Sequence, residues 1–208
     1  MFVGESQDWL EGEEQAWNTL TRLAPQQVCC RAKVHFDIAN QRYMLPVFND
    51  THFVSLKEKD FWGRSNTADL ILNRFPHYYR LSALWYLIQA KDIPLSGTFI
   101  NPREVSGGFI FEQGTHMLPL QELAARYGRD PDGLLQKGRA FGGERLEYAD
   151  LSVRLFPFPR LPVTLLLWQE DDEFPARADV LLDETCSSHL STDIIWSTVM
   201  LTVLLMLN

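Results

Sequence analysis

Two apolar runs, Val163 to Trp168 and Val180 to Leu182, flank the acidic stretch Glu170-Asp171-Asp172-Glu173, and this arrangement constrains the fold more than any other in the chain. Each run is short, bounded by turn formers and rich in Val, Leu and Trp, which suits buried strands better than helices. The acids between them suit a solvent-facing tip. The stretch therefore reads as two core strands joined by an acidic hairpin.

A second region has a period of two. Val34, Phe36 and Ile38 alternate with His35 and Asp37, and Asn40 marks a turn. Arg42 to Phe48 makes a second strand, Asn49-Asp50 a second turn, and His52 to Leu56 a third. This spacing predicts a three-stranded antiparallel meander with His35 and His52 on its outward face. Lys57 to Arg64 reads as a loop.

Elsewhere the period is helical. Trp9, Leu10, Ala16, Trp17, Leu20 and Leu23 predict a helix over Asp8 to Arg22. A helical pair follows at Thr67 to Phe75 and His77 to Ala90, broken at Pro76. Two shorter helices are expected at Leu120 to Tyr127 and Pro131 to Phe141, with short strands at Thr98 to Ile100, Phe109 to Phe111 and Val153 to Leu155. Ile194 to Leu207 is apolar apart from Ser197, Thr198 and Thr202. As a helix it spans about 21 Å, against ~30 Å of membrane hydrocarbon, so it reads as a buried terminal helix and not a span. The whole is one α+β domain over residues 1–208: an N-terminal helix, the meander, central helices, then the C-terminal hairpin and buried helix.

Composition narrows the function. Nineteen Lys and Arg against 27 Asp and Glu give a net charge of −8, and no cationic run exists, so nucleic acid is not an expected partner. The three cysteines, Cys29, Cys30 and Cys186, have neither disulfide-framework nor Cys-x-x-Cys spacing. With no basic, apolar signal-peptide pattern at the start, a reducing cytoplasm is the expected location.

From Pro94 onward an ordered series of motifs resembles a known family. The series runs Pro94-Leu-Ser-Gly-Thr-Phe99, Glu104-Val-Ser-Gly-Gly108, Leu123-Ala-Ala-Arg-Tyr-Gly128, Phe141-Gly-Gly143 and Phe158-Pro-Arg-Leu-Pro162. It continues through Trp168-Gln-Glu-Asp-Asp-Glu-Phe174 and Ala178-Asp-Val-Leu-Leu-Asp183 to Leu190-Ser-Thr-Asp193. Together these resemble the prokaryotic family called domain of unknown function 3786, over roughly residues 80–208. The resemblance implies iron–sulfur or corrinoid surroundings for some members. This chain departs from them, since its cysteines lack cluster-ligand spacing.

Candidate chemistry is sparse. Asp171, Asp172 and Asp183 form the one carboxylate set with some claim to a divalent metal, because hard cations want several carboxylate oxygens. Acids in succession along a strand alternate faces, which favours a solvated tip instead. No histidine pair has His-x-x-x-His spacing, and no Gly-x-Ser-x-Gly or phosphate loop occurs. His116, after Gly114-Thr115, is the best single candidate for an axial ligand or general base. Arg103 suits an anionic group, and Trp168 a planar one.

The residues thus support a non-enzymatic cytoplasmic accessory protein that binds a small ligand, a cofactor of unknown identity or a protein partner, with Arg103, His116 and Trp168 as its candidate contacts. One alternative is a carboxylate-dependent metal enzyme built on Asp171, Asp172 and Asp183. The other is an interaction module that associates through Ile194–Leu207.

Overall fold

The computed structural model describes residues 3–112 and 114–208. Helix α1 (Val3–Leu20) is followed by α2 (Pro25–Ala32), which starts at a proline and ends where Lys33 turns left-handed at φ 53°. Four strands come next: β1 (His35–Asp37), β2 (Arg42–Val47), β3 (Asp50–Ser55) and β4 (Asp60–Trp62). They form one antiparallel sheet in sequential order. The meander thus has four strands, not three. Only Phe61 and Trp62 mark the last one, and both are held by rings. Phe61 packs on Trp17 at 5.2 Å and Tyr79 at 5.5 Å, and Trp62 stacks on Phe53 at 5.5 Å.

Ser65 caps α3 (Asn66–Arg74) by accepting the Ala68 N–H at 3.0 Å. Helix α4 (Pro76–Gln89) begins at the helix-compatible first position that proline favours. It packs between α1 and the C-terminal helix and buries Tyr79, Leu84, Tyr86 and Leu87 completely.

After β5 (Phe99–Ile100) the chain runs through 3-10 turns at Pro102–Glu104, Gly108–Glu112 and Gly114–His116. Phe109 to Phe111 therefore lies in a turn and not in a strand. Gly108 fits there because a side chain would strike the Arg103 backbone at 2.9 Å. Helices α5 (Leu120–Tyr127) and α6 (Pro131–Ala140) lead to β6 (Glu144–Leu146), β7 (Leu151–Phe158), β8 (Leu161–Trp168) and β9 (Arg177–Asp183). The second sheet is antiparallel with order β5-β9-β8-β7-β6. A short helix, α7 (Cys186–His189), precedes α8 (Thr192–Leu207).

Register fixes which side chains share a face. Val153, Leu165 and Val180 are cross-strand neighbours, as are Leu155, Val163 and Leu182. All six are fully buried. Helix α6 lies against this face: a Cβ on Gly138 would sit 2.5 Å from Val153. Helix α5 is tied to α8 by the Tyr127 hydroxyl, which donates to the Met206 carbonyl at 2.7 Å. The sheets join where the Phe48 N–H donates to Phe156 O at 2.8 Å. Around them runs one continuous apolar core.

Eleven of the sixteen residues of α8 are buried within the chain. Its polar interruptions are internally satisfied. Thr198 and Thr202 donate to carbonyls one turn back at 2.8 Å, and Ser197 donates to Tyr78 O at 3.1 Å. A partner approaching Ile194–Leu207 would meet mainly Trp196, Leu204 and Leu207, which are half-buried. Among the described residues no helix is long and apolar enough to cross a membrane.

Candidate functional site

The second sheet leaves one stretch of edge open. β5 pairs with β9 only at Asp183 and Leu182, and then stops. The reason is local: Asn101 caps a tight turn, its side chain accepting the Arg103 N–H while Glu104 accepts the Asn101 N–H, and Pro102 has no N–H to give a ladder. Beyond that point, among the described residues, no strand covers Arg177 to Leu181.

A groove runs beside this edge. Near Pro102 it is a hollow of about 450 Å³ between Arg103, Phe111, Leu118 and the start of α5, with Asp179 and Val180 as its strand wall. Toward the hairpin tip it widens to about 700 Å³, walled by Leu120 and Ala124 of α5, Phe174, Trp168 and Arg177. The two hollows share Leu120 and Gln121. Arg177 lies over the half-buried Trp168 ring, 3.9 Å from its centre, and the two are cross-strand partners. Two large apolar side chains stand out at the groove: Phe174 is 66% exposed and Met117 54%.

The acidic tip builds the loop. Asp171 accepts the N–H groups of Glu173 at 2.8 Å and Phe174 at 2.7 Å, while its own N–H donates to Phe174 O at 3.0 Å. Glu170 pairs with Arg129, and Asp150 accepts the Gln169 N–H at 2.9 Å. Asp172 is exposed.

Asp183 stands apart from these acids. It lies at the other end of β9 from Arg177, a span of about 20 Å at ~3.3 Å per residue. There it is buried and organises a loop, accepting from Gly97 N at 2.9 Å, Ser96 N at 3.2 Å, Thr185 N at 3.1 Å and the Thr185 hydroxyl at 2.6 Å. Burial raises its pKa, but these donors outweigh that and hold it below the usual carboxylate range. Asp171, Asp172 and Asp183 therefore do not converge. Among the described residues no three His, Cys, Asp or Glu side chains lie close enough together to hold a metal ion.

The other three candidates divide. Trp168 and Arg103 line the two connected halves of the groove. His116 lines a separate hollow of about 250 Å³ with Leu81, Ile110 and Asp193. Its ring meets Trp196 edge-on at 4.7 Å, and its carbonyl accepts the Trp196 indole N–H at 2.6 Å. Sequence reasoning missed Arg177, Phe174 and Asp179 as groove residues. Aligning the two apolar runs across the hairpin brings Arg177 opposite Trp168, which was the available signal.

Two histidines are interior. His52 was expected on the outward face but has no exposed surface: its Nδ1 lies 2.7 Å from the Tyr79 hydroxyl and its Nε2 is buried without a partner. Burial pushes its pKa down to about 4, opposed by Asp50, whose carboxylate is 4.0 Å away. His189 accepts the Lys91 N–H on Nδ1 at 3.2 Å, and its buried Nε2 is also unpartnered. Burial first, then the charges of Arg160 and Lys91, lower its pKa to about 4. Neither histidine touches the groove.

Fold and site together define an α+β protein of two antiparallel sheets with a surface groove at an open sheet edge. The family model for a domain of unknown function, DUF3786, matches residues 24–204, and the chain belongs to that family. The match reaches well upstream of residue 80 and takes in the N-terminal sheet. No curated protein and no solved structure matches the chain.

Proposed function

We propose that the chain is a non-enzymatic binding protein whose site is the groove between α5 and the β8–β9 hairpin. The observation that carries this reading is the Trp168–Arg177 pair at the end of the hairpin strands, which lines the 700 Å³ hollow together with Leu120, Ala124 and the exposed Phe174. A half-buried indole with a guanidinium stacked on it gives a flat, polarisable edge to the hollow, and the short Ala124 and the apolar Leu120 leave room for a planar or apolar group. The free thiols Cys29, Cys30 and Cys186 support a reducing, cytoplasmic setting, and the net charge of −8 argues against nucleic acid as the occupant.

Titration with the neutral dye Nile red tests the site. Saturable binding at one site per chain, weakened about tenfold (~1.4 kcal/mol) by Trp168→Ala, is the expected result. Equal affinity for parent and variant overturns the reading.

A further inference from the structure

We infer that the groove takes an extended peptide segment of a partner protein, added as a strand to the open edge of β9, with a basic residue between two apolar ones. The inference rests on the groove being the binding site.

Backbone parity gives the first argument. The Glu184 N–H donates to Thr98 O at 3.0 Å, across to the β5 side. Alternate residues of a strand turn their backbone groups to the same side, so Leu182, Val180 and Ala178 also direct N–H and C=O away from β8. β5 covers Leu182, and the Val180 N–H is taken by its neighbour's carboxylate, Asp179, at 2.8 Å. The N–H and C=O of Ala178 and the C=O of Val180 face the groove with no ladder partner among the described residues. Pro102 ends β5 at this point, and the groove occupies the slot in which β5 would otherwise continue. A short strand from outside, collinear with β5, completes the sheet there.

Side-chain parity supplies the motif. Residues opposite Ala178 and Val180 would point to the helix-covered face, toward Leu118, Leu120 and Ala124. The residue between them would lie opposite Asp179, on the other face. Charge complementarity makes it basic. The groove is lined by the acids Glu122, Asp150, Asp171 and Asp179 against Arg103 and Arg177, on a chain of net charge −8. Asp179 receives the Val180 N–H and the Asn101 amide at 3.3 Å, and a carboxylate has lone pairs for a further donor. A second copy is the weaker occupant, since pairing centred on the open stretch sets Asp179 against Asp179 between two chains of charge −8.

The probe is the capped peptide acetyl-Thr-Val-Lys-Val-Thr-amide, with amide hydrogen exchange of the full chain as readout. Slowed exchange at Ala178 is expected. Substituting Glu for Lys in the peptide should weaken binding roughly fivefold or more, from an opposite-charge to a like-charge cross-strand pair. Asp179→Asn, which keeps the bond to the Val180 N–H, should erase that preference. N-methylating both valines, which removes the strand-forming donors but no side chain, should abolish binding. If Nile red occupies the groove while the peptide leaves Ala178 unprotected, or if the methylated peptide binds equally well, the strand inference falls and the groove reading stands. If Nile red does not bind either, both fall. A chain that self-associates through β9, dissociated by Asp179→Lys, overturns the peptide in favour of a second copy.

Discussion

The guanidinium carbon of Arg177 lies 3.9 Å from the centre of the Trp168 ring, across the first residue pair of the β8–β9 hairpin. The pair lines the groove at the hairpin end. Its contribution to stability is small, about 0.5–1 kcal/mol for a partly exposed cation–π contact. Under the proposed function its contribution to recognition is larger, because a packed aromatic side chain loses little entropy when a ligand docks. Arg177→Ala should therefore lower the urea midpoint only slightly while weakening Nile red binding severalfold. A large loss of stability with unchanged binding would make the pair purely structural.

Arg160 is the chain's principal buried clamp. Only 3% exposed, it donates to the carbonyls of Arg31, Ile93 and Cys30, pairs with Asp92, and its N–H donates to the Tyr86 hydroxyl at 3.1 Å. It joins α2, α4 and the loop after α4 to the turn before β8. Arg160→Met strips the side-chain donors from three part-buried carbonyls at once and should cost about 2–3 kcal/mol in urea denaturation. A loss below 1 kcal/mol would contradict the clamp.

Acid should destabilise the fold through His52. Its pKa is about 4 in the folded chain, against ~6.5 unfolded. As pH falls, the unfolded chain takes the proton first. The stabilisation is complete above about pH 6.5 and is lost on the way down to about 4, with a magnitude of about 3 kcal/mol. His189 acts in the same direction over the same window. Unfolding free energies of the parent and His52→Gln, measured at pH 7 and pH 4.5, should converge. A difference that is constant with pH would contradict this.

Asp183→Asn should cost about 1–3 kcal/mol, because five hydrogen-bond donations from Ser96, Gly97 and Thr185 then fall on a neutral amide, one end of which is itself a donor. The midpoint of the parent should be the same with Mg²⁺, Mn²⁺ or Ca²⁺. A cation-dependent rise in the parent that Asp183→Asn abolishes would restore the metal reading.

Much of the fold is legible in residue order because long periodic segments dominate it. The two runs of the acidic hairpin and the alternation of Tyr43, Leu45 and Val47 translate directly into β8, β9 and β2. The short strands do not: β4 has two aromatic residues and β6 one leucine, too few to show a period, and tertiary contacts make both. The side His52 takes depends on register and not on the period of β3 alone: opposite Leu45 and two residues from Val54, it lies on the face that packs on Tyr79 of α4, while Phe53 points the other way and is covered by Trp62 and Arg42. In the site, Trp168 was visible from its place at the end of an apolar run. Its partner Arg177, the open edge at Ala178 and the distance between Asp171 and Asp183 all depend on strand register, which a single sequence does not state.

The proposed binding site is the stretch of the groove at Trp168. The indole N–H resonances of the six tryptophans, with Trp168 assigned by Trp168→Phe, report it directly during a Nile red titration. The Trp168 signal should shift and saturate with the dye while Trp196, beside the separate His116 hollow, stays in place. A stationary Trp168 signal under saturating dye, or movement of Trp196 instead, contradicts it.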